Sequence, residues 1–158
     1  MISDSLRLNN KDKHYLIVAA ILHDLGKVNI PLEILDSPRS LQHHEWMIIK
    51  QHPSYGADML RNCHFHSHII DGIQSHHEWY DGSGYPSNLK GEAIPWQGRI
   101  IAIADSLDAM ISYRPYKSPK TPKQSLRELK EMSEIQYDPY IVDKFIKSKG
   151  YWLPAASP

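Results

Sequence analysis

The sequence has 158 residues, of which 41% are hydrophobic, and it carries equal numbers of basic and acidic side chains. This length suits one domain with its own core and argues against two. The zero net charge excludes a global field that would recruit a nucleic acid polymer or an anionic membrane. The single cysteine, Cys63, excludes an intrachain disulfide and a cysteine-based zinc site, and it favours a cytoplasmic location.

Apolar residues at helical spacing predict helices in the first half of the chain. Asn10 can cap the first helix, and Gly26 is its predicted stop. Ser40 can cap the second, and Pro53 either ends that helix or opens the next one. Helical patterns follow at 53–61 and 66–77. The longest apolar run, 15–22, is too short to span a membrane, and the polar start lacks the apolar core of a signal peptide.

The second half begins with a long loop and returns to helices. Three glycines and a proline interrupt all periodicity between positions 79 and 95, which is typical of a functional or mobile loop. A mostly apolar helix is predicted at 96–110, and the pairs Thr121-Pro122 and Asp138-Pro139 each open another. Because no strand-like alternation competes, the sequence predicts one all-α domain over 1–158, with a core at about 10–148 and tails at 1–9 and 151–158.

One carboxylate lies in a strongly apolar stretch. Asp105 is surrounded by the isoleucines, alanines and leucine of RIIAIADSLDAM, so we expect it to be buried and to need a partner. One interpretation is an ion pair with a basic residue such as Arg99. The other is coordination of a metal ion.

Further histidines and one aspartate lie at the ends of predicted helices. His23 and Asp24 follow the apolar helix segment AAIL, His52 precedes Pro53, and the pair His76-His77 ends a helix. Mixed imidazole and carboxylate ligands without sulfur suit iron, manganese, zinc or nickel rather than calcium. Together with Asp105, these residues predict a site for two cations.

Two adjacent cations would suit hydrolysis of a phosphate ester, because they stabilise both the attacking and the leaving oxygen. Lys27 could hold a phosphate oxygen, although a lysine after a helix end is commonly only a solvated charge. Arg114 and Lys117 follow Asp105 and could extend a cationic wall, with Arg114 suited to a bidentate phosphate contact.

The tetrapeptide HHEW occurs at 43–46 and again at 76–79. On a continuous helix from Ser40 to His52, His43 and His44 would project roughly 180° and 80° away from His52. We therefore expect the first copy to be solvated, with Trp46 in the core, and only the second copy to bind a metal.

These motifs resemble the HD-GYP family, the bacterial phosphodiesterases of cyclic di-GMP. HDLGKVNIP resembles the HD motif, WMIIKQHPSYGADML the helix with the histidine-proline pair, HHEWYDGSGYP the signature loop, and IAIADSLDAMISYRPYK the last ligand with its basic segment. The resemblance extends from about Ala19 to Ile146. It implies an HD-domain helical bundle with a Gly-rich GYP loop.

The resemblance also implies roles for individual residues. It makes Asp24 a bridging ligand of two divalent ions, iron or manganese, and assigns Lys27 to the scissile phosphate. Tyr85 would border the substrate pocket, and Arg114 and Lys117 would contact phosphates. The remaining implied metal ligands are His23, His52, His76, His77 and Asp105. The implied reaction opens cyclic di-GMP to linear pGpG and continues in many members to GMP.

The sequence departs from the family pattern upstream of the HD motif. Family members carry a further histidine ligand about thirty residues before this motif, sometimes with a glutamate that supports a third metal, whereas 22 residues precede His23 here. The resemblance therefore predicts an N-terminally truncated domain, which is either a fragment of a longer protein with a receiver or sensor region upstream or a natural variant with an incomplete site. It also predicts weak occupancy of the metal shared by His23, Asp24 and Asp105, low or absent turnover, and newly exposed apolar surface.

Other readings stay open beside a catalytic domain. One is an impaired module that binds cyclic di-GMP or docks GGDEF proteins through its GYP loop without turnover. An ordinary HD-type nucleotide phosphohydrolase is disfavoured, because its usual pattern lacks DGSGYP and RPYK.

Overall fold

The computed structural model describes residues 2–113 and 118–148, and within these ranges the chain is helical without β-strands. The nine α-helices of these ranges are α1 Ile2–Ser5, α2 Asn10–Leu22, α3 Leu32–Leu35, α4 His43–Ile49, α5 His52–Asn62, α6 Ser67–Ser75, α7 Trp96–Ile111, α8 Pro122–Glu131 and α9 Pro139–Lys147. Short 3₁₀ turns lie at Leu25–Asn29 and Gly91–Ala93. The predicted all-α class is confirmed, and so is each of the two proline-opened helices.

Helix α6 lies at the centre of the bundle. It contacts α2, α5 and α7, while α8 and α9 pack on α7. Its apolar stripe is typified by Ile69 and Ile73, which are buried together with Ile101 and Ile103 of α7. Burial of this stripe fixes the orientation of α6, and its C-terminal end therefore meets the start of α5 and the end of α2 at one side of the bundle.

The helix boundaries differ from the predicted ones in two places. Helix α2 ends at Leu22, before the stop predicted at Gly26, so His23 and Asp24 follow the helix. The segment from Ser40 to His52 is not one helix, because α4 is capped by Gln42 and ends before Lys50. Pro53 then lies in the first turn of α5, which settles the two alternatives in favour of an opening proline.

The expected tails also differ from the structure where it describes them. Residues 2–5, expected to be part of a tail, form α1, which contacts α9 and buries Ile2. Residues 151–158 lie outside the described ranges. No helix in the described part of the chain is both long and apolar enough to cross a bilayer.

Asp138 anchors α9 to the rest of the bundle. Its buried carboxylate accepts hydrogen bonds from the backbone N–H groups of Tyr140 and Ile141, and it lies 2.5 Å from the guanidinium of Arg99 on α7. Replacing Asp138 by alanine removes both the helix cap and the partner of a largely buried cation. We expect Asp138→Ala to lower the free energy of unfolding by about 2 kcal/mol.

Urea denaturation of the variant, with far-UV circular dichroism as the readout, measures this loss. Asp143→Ala is the matched control, because Asp143 pairs with Lys147 on the exposed face of the same helix. An equal loss in both variants would contradict the anchoring role of Asp138.

Candidate metal centre

One aspartate and three histidines converge at the end of the bundle described above. Asp24, His52, His76 and His77 each offer a ligand atom, and these four atoms lie within 4.8 Å of one another. The Nε2 atoms of His52 and His76 are 3.3 Å apart, and both side chains are only 1% exposed. We refer to these four residues as the His/Asp cluster.

The cluster draws on three separate helix ends. Asp24 follows α2 at the start of the 3₁₀ turn, His52 is the first residue of α5, and His76 and His77 follow α6. Helix ends leave backbone groups unsatisfied, and they allow adjacent side chains to turn toward one point. The bundle brings the three ends together because α6 packs against both α2 and α5.

Backbone carbonyls fix the orientation of three imidazole rings at this site. In His23, His52 and His76, the Nδ1 atom lies 2.7, 2.8 and 2.6 Å from the carbonyl oxygen of the residue three positions earlier. A carbonyl only accepts, so each neutral ring donates its Nδ1–H and keeps a lone pair on Nε2. The lone pairs of His52 and His76 then face each other across 3.3 Å. This arrangement fits a cation between the two nitrogen atoms.

The carboxylate of Asp24 faces nitrogen atoms on two sides. Its Oδ1 atom lies 3.3 Å from Nε2 of His52, and its Oδ2 atom lies 3.5 Å from Nε2 of His23 and 2.6 Å from Nζ of Lys27. Oδ1 is buried and meets no geometric criterion for a hydrogen bond with any described residue. Burial raises the pKa of Asp24, but its contacts with His52 and Lys27 outweigh this and hold the pKa well below its usual value. Asp24 is therefore ionised at neutral pH.

Asp105 lies beside the cluster, on α7. Its Oδ1 atom is 3.8 Å from Nε2 of His23. The expectation of a buried carboxylate was wrong, because the Asp105 side chain is 34% exposed. Arg99 does not pair with it either, since the guanidinium contacts Asp138, a residue 39 positions along the chain.

The charge states of Asp24, His76 and His77 match those of metal ligands. Burial lowers the pKa of His76, with a further contribution from His77, and it lowers the pKa of His77 to about 3, with a further contribution from His52. Neutral imidazole and ionised carboxylate are the forms that bind first-row metals. The orphaned Asp24 oxygen and the opposed Nε2 atoms therefore fit a divalent transition metal.

The same pKa shifts predict how the metal-free protein responds to acid. Unfolded histidines titrate near 6.5, so between about pH 3 and pH 6.5 the unfolded state binds more protons than the folded state. Stability therefore falls as the pH falls through this window. We expect the free energy of unfolding to drop by about 1 kcal/mol for each of His76 and His77 between pH 7 and pH 5.5.

Urea titrations of chelator-treated protein at the two pH values measure this drop. His77→Gln should reduce the pH dependence, because the amide does not titrate. A free energy of unfolding that stays constant or rises toward pH 5.5 would contradict the assignment.

The Gly-rich loop is held against the cluster by Glu78. This buried carboxylate accepts the N–H groups of Ser87 and Leu89 at 2.6 and 3.0 Å, and Tyr85 donates its N–H to the carbonyl of His77 at 3.1 Å. Burial raises the pKa of Glu78, while these backbone contacts oppose the shift. A Cβ on Gly84 would overlap the backbone of Glu78 and Trp79, so the loop approaches the cluster this closely only with glycine there.

The loop places Tyr85 next to the cluster. The Tyr85 ring centroid is 4.8 Å from that of His77, and the ammonium group of Lys50 lies 5.3 Å from the Tyr85 centroid. Burial raises the pKa of Tyr85, and the negative charges of Asp24 and Asp105 add to this effect. Tyr85 is therefore a neutral phenol at physiological pH.

The two HHEW copies have different environments. His43 and His44 are exposed, as predicted, whereas His76 is buried and His77 is half-buried. The prediction that Trp46 packs in the core was wrong, because the side chain is 48% exposed. The copies share one feature, since the glutamate of each is buried and fixes local backbone: Glu45 accepts the N–H of Gln42 at 2.8 Å in a capping box.

Two residues near the cluster escaped the sequence analysis. Glu78 directly follows the histidine pair, and this position in the sequence could have indicated its structural role. The role of Lys50 could not be predicted from the sequence, because its contact with Tyr85 joins positions 35 residues apart. Arg114 and Lys117, expected to contact phosphates, lie outside the described residues.

Known proteins share this sequence and fold. The family model described as "HD domain" matches residues 1–141. A "Cyclic di-GMP phosphodiesterase response regulator RpfG" of Xanthomonas campestris is 36% identical over 151 residues, covering 94% of this chain and 40% of the relative. A "3'3'-cGAMP-specific phosphodiesterase 2" of Vibrio cholerae is 47% identical over 94 residues, covering 58% of this chain and 18% of the relative. The chain thus spans less than half the length of these relatives.

The fold is also similar to that of a solved structure. An HDG"Y"P protein from Bdellovibrio bacteriovorus superposes with a TM-score of 0.71 at 22% identity, covering 93% of this chain and 47% of that one. At this identity the likeness speaks for the fold alone. With the family match over residues 1–141, these comparisons show that the chain belongs to the HD-domain family, and the HD-GYP membership predicted from its motifs is confirmed.

Proposed function

We propose that this chain is the hydrolytic domain of a metal-dependent phosphodiesterase that cleaves cyclic di-GMP. The observation that carries the proposal is the convergence of Asp24, His52, His76 and His77 within 4.8 Å. Three imidazoles with fixed lone pairs and one ionised carboxylate form a donor set for a first-row metal, with no thiolate that would favour a purely structural zinc site.

In this proposal the residues would hold two divalent cations, iron or manganese. His52, His76, His77 and Asp24 would hold one of them. His23, Asp105 and Asp24 would hold the other, which is supported by the 3.5 and 3.8 Å separations around Nε2 of His23. Two cations bound in this way supply Lewis-acid activation of the attacked phosphate and of the attacking water.

The side chains around the cations bind and orient the substrate. Lys27, whose ammonium group lies 2.6 Å from Asp24, contacts a nonbridging oxygen of the attacked phosphate and offsets its charge. Tyr85 forms one wall of the pocket beside His77. Arg114 and Lys117 contact the phosphates from the segment that follows α7. Hydrolysis of one phosphodiester bond opens the ring to linear pGpG, and hydrolysis of the second gives GMP.

The relatives support a cyclic dinucleotide as the substrate class. The 36% identical relative is named for cyclic di-GMP, and the 47% identical one for 3'3'-cGAMP, although the second match covers only 58% of this chain. We propose cyclic di-GMP as the substrate because the match to the relative named for it covers 94% of this chain. The proposal also includes docking of GGDEF proteins on the GYP loop, an upstream regulatory domain and a cytoplasmic location.

The alternative is a module that binds cyclic di-GMP without hydrolysing it. It is motivated by the number of ligands, because the His/Asp cluster offers four and the second site offers three described residues, His23, Asp24 and Asp105. In that case the His/Asp cluster binds one metal, and the second cation is weakly held.

Metal content and turnover test these proposals together. The protein is loaded anaerobically with iron or manganese, metal is quantified per chain, and cyclic di-GMP and 3'3'-cGAMP are incubated in parallel with product analysis by chromatography. Linear pGpG or GMP supports the enzyme, and faster cleavage of 3'3'-cGAMP would replace the proposed substrate. Binding without product supports the alternative. Absence of bound metal would contradict both.

A further inference from the structure

Lys50 lies at the edge of the site without a described anionic partner. It caps the C-terminal end of α4, two residues before His52, and its ammonium group lies 5.3 Å from the centroid of the Tyr85 ring. Tyr85 in turn lies 4.8 Å from His77, so the ammonium group is at most about 10 Å from the His77 ring. A cation over an aromatic ring gains electrostatic attraction and keeps its charge available to a ligand.

The two lysines near the cluster differ in their charge environment. Lys27 is paired with Asp24 at 2.6 Å, so its charge is largely offset before substrate arrives. Lys50 has no carboxylate within 4.0 Å among residues 2–113 and 118–148. A half-buried ammonium group that lies over a ring, with no ion pair among the described residues, is suited to an incoming anion, because ligand binding does not have to break such a pair.

We propose that Lys50 forms a second phosphate subsite, which holds the nonreacting phosphate of a cyclic dinucleotide while the other phosphate lies at the His/Asp cluster. This inference rests on the proposed function and deepens it. A cyclic dinucleotide carries two phosphates. Among the described residues, Lys27 is proposed to contact the one at the cluster, which leaves the other for Lys50. Tyr85 separates the two subsites and holds the ammonium group through its ring, which limits the rotameric freedom that a four-carbon lysine stem loses on binding.

The subsite predicts a difference between substrates with two phosphates and with one. In Lys50→Met, KM for cyclic di-GMP should rise at least tenfold with a much smaller change in kcat, because a binding contact is lost away from the reacting bond. With bis(p-nitrophenyl) phosphate, which carries one phosphate, the loss in kcat/KM should be at least fivefold smaller. Lys50→Arg keeps the charge and should recover most of the affinity.

Lys11→Met is the matched control. The Lys11 ammonium group also lies over a tyrosine ring, at 5.8 Å from the Tyr15 centroid, but on α2 and away from the cluster. This variant should keep the kinetics of the wild type. Metal content is measured in every variant, so that loss of metal is separated from loss of substrate contact.

The outcomes distinguish this inference from the proposed function. Equal losses for both substrates in Lys50→Met, or an unchanged KM for cyclic di-GMP, would overturn the subsite. If the wild type hydrolyses neither substrate, the enzymatic proposal fails, and calorimetric titration with cyclic di-GMP then decides. A dissociation constant at least tenfold weaker in Lys50→Met than in Lys11→Met supports the subsite, and equal constants, or no binding to any variant, overturn it.

Discussion

His76→Ala should remove the metal from the His/Asp cluster and lower hydrolysis of cyclic di-GMP by more than about 100-fold. His76 is 1% exposed, its Nδ1 is held by a backbone carbonyl at 2.6 Å, and its Nε2 lies 3.3 Å from that of His52. Alanine removes one donor, and no nearby side chain can replace it in this buried position. Mutation of a residue that only hydrogen-bonds to a metal ligand already lowers metal affinity or activity by about 10- to 100-fold. Loss of the ligand itself should therefore have a larger effect.

The first HHEW copy provides the control for this experiment. His43→Ala changes the equivalent residue of an identical tetrapeptide, but His43 is exposed at the start of α4. It should leave metal content, turnover and stability within experimental error. Equal losses in the two variants would contradict the distinction between the copies, and full metal content in His76→Ala would exclude that residue as a ligand.

Gly26→Ala, which adds one methyl group beside the site, should strongly lower the free energy of unfolding. Gly26 is buried where the 3₁₀ turn after Asp24 meets the first turn of α5, and an added Cβ would overlap the carbonyl oxygen of His52 and the backbone nitrogen of Gly56. Neither backbone atom can move without shifting α5. We expect a loss of about 3 kcal/mol or more in the free energy of unfolding, at the upper end for overpacking. Displacement of His52 from Asp24 should also weaken metal binding.

Gly91→Ala separates this crowding from a loss of backbone freedom. Gly91 has a φ of 59°, but nothing lies within 4 Å of an added Cβ, so only the strain of the left-handed conformation remains. That strain costs about 1 kcal/mol. Denaturant titration and metal analysis of both variants make the comparison. A loss for Gly26→Ala no greater than that for Gly91→Ala would show that the turn and α5 can separate at little cost.

Local sequence was sufficient for the helical class and for several helix starts. Thr121 and Asp138 each supply an oxygen that caps the following helix, and a proline after each has a suitable backbone angle without needing a donor. These interactions span two or three residues, so they can be read directly from the chain. The break between α4 and α5 could not be read in this way, because the apolar pattern continues across Lys50 and Gln51.

The errors near the site share one cause. The surroundings of Asp105 and Trp46 were inferred from sequence neighbours, whereas the helix face that each presents decides its exposure. Arg99 was considered as the ion-pair partner of Asp105, six positions away in the sequence. In the structure, Arg99 on α7 instead pairs with Asp138, which caps α9. Charges in a folded chain pair by distance in space, and sequence separation is a poor guide to it.

The residue types of the candidate site could be predicted from motifs, because imidazoles and carboxylates at helix ends next to a Gly-rich loop are visible in the chain. Which of their atoms meet depends on the packing of the helices. The packing of α6 against α2 and α5 brings Asp24, His52, His76 and His77 within 4.8 Å, and the 3₁₀ turn at Gly26 sets how closely α5 approaches. The same packing places Lys50 over Tyr85. These relations depend on burial and backbone contact between distant segments, which no local pattern encodes.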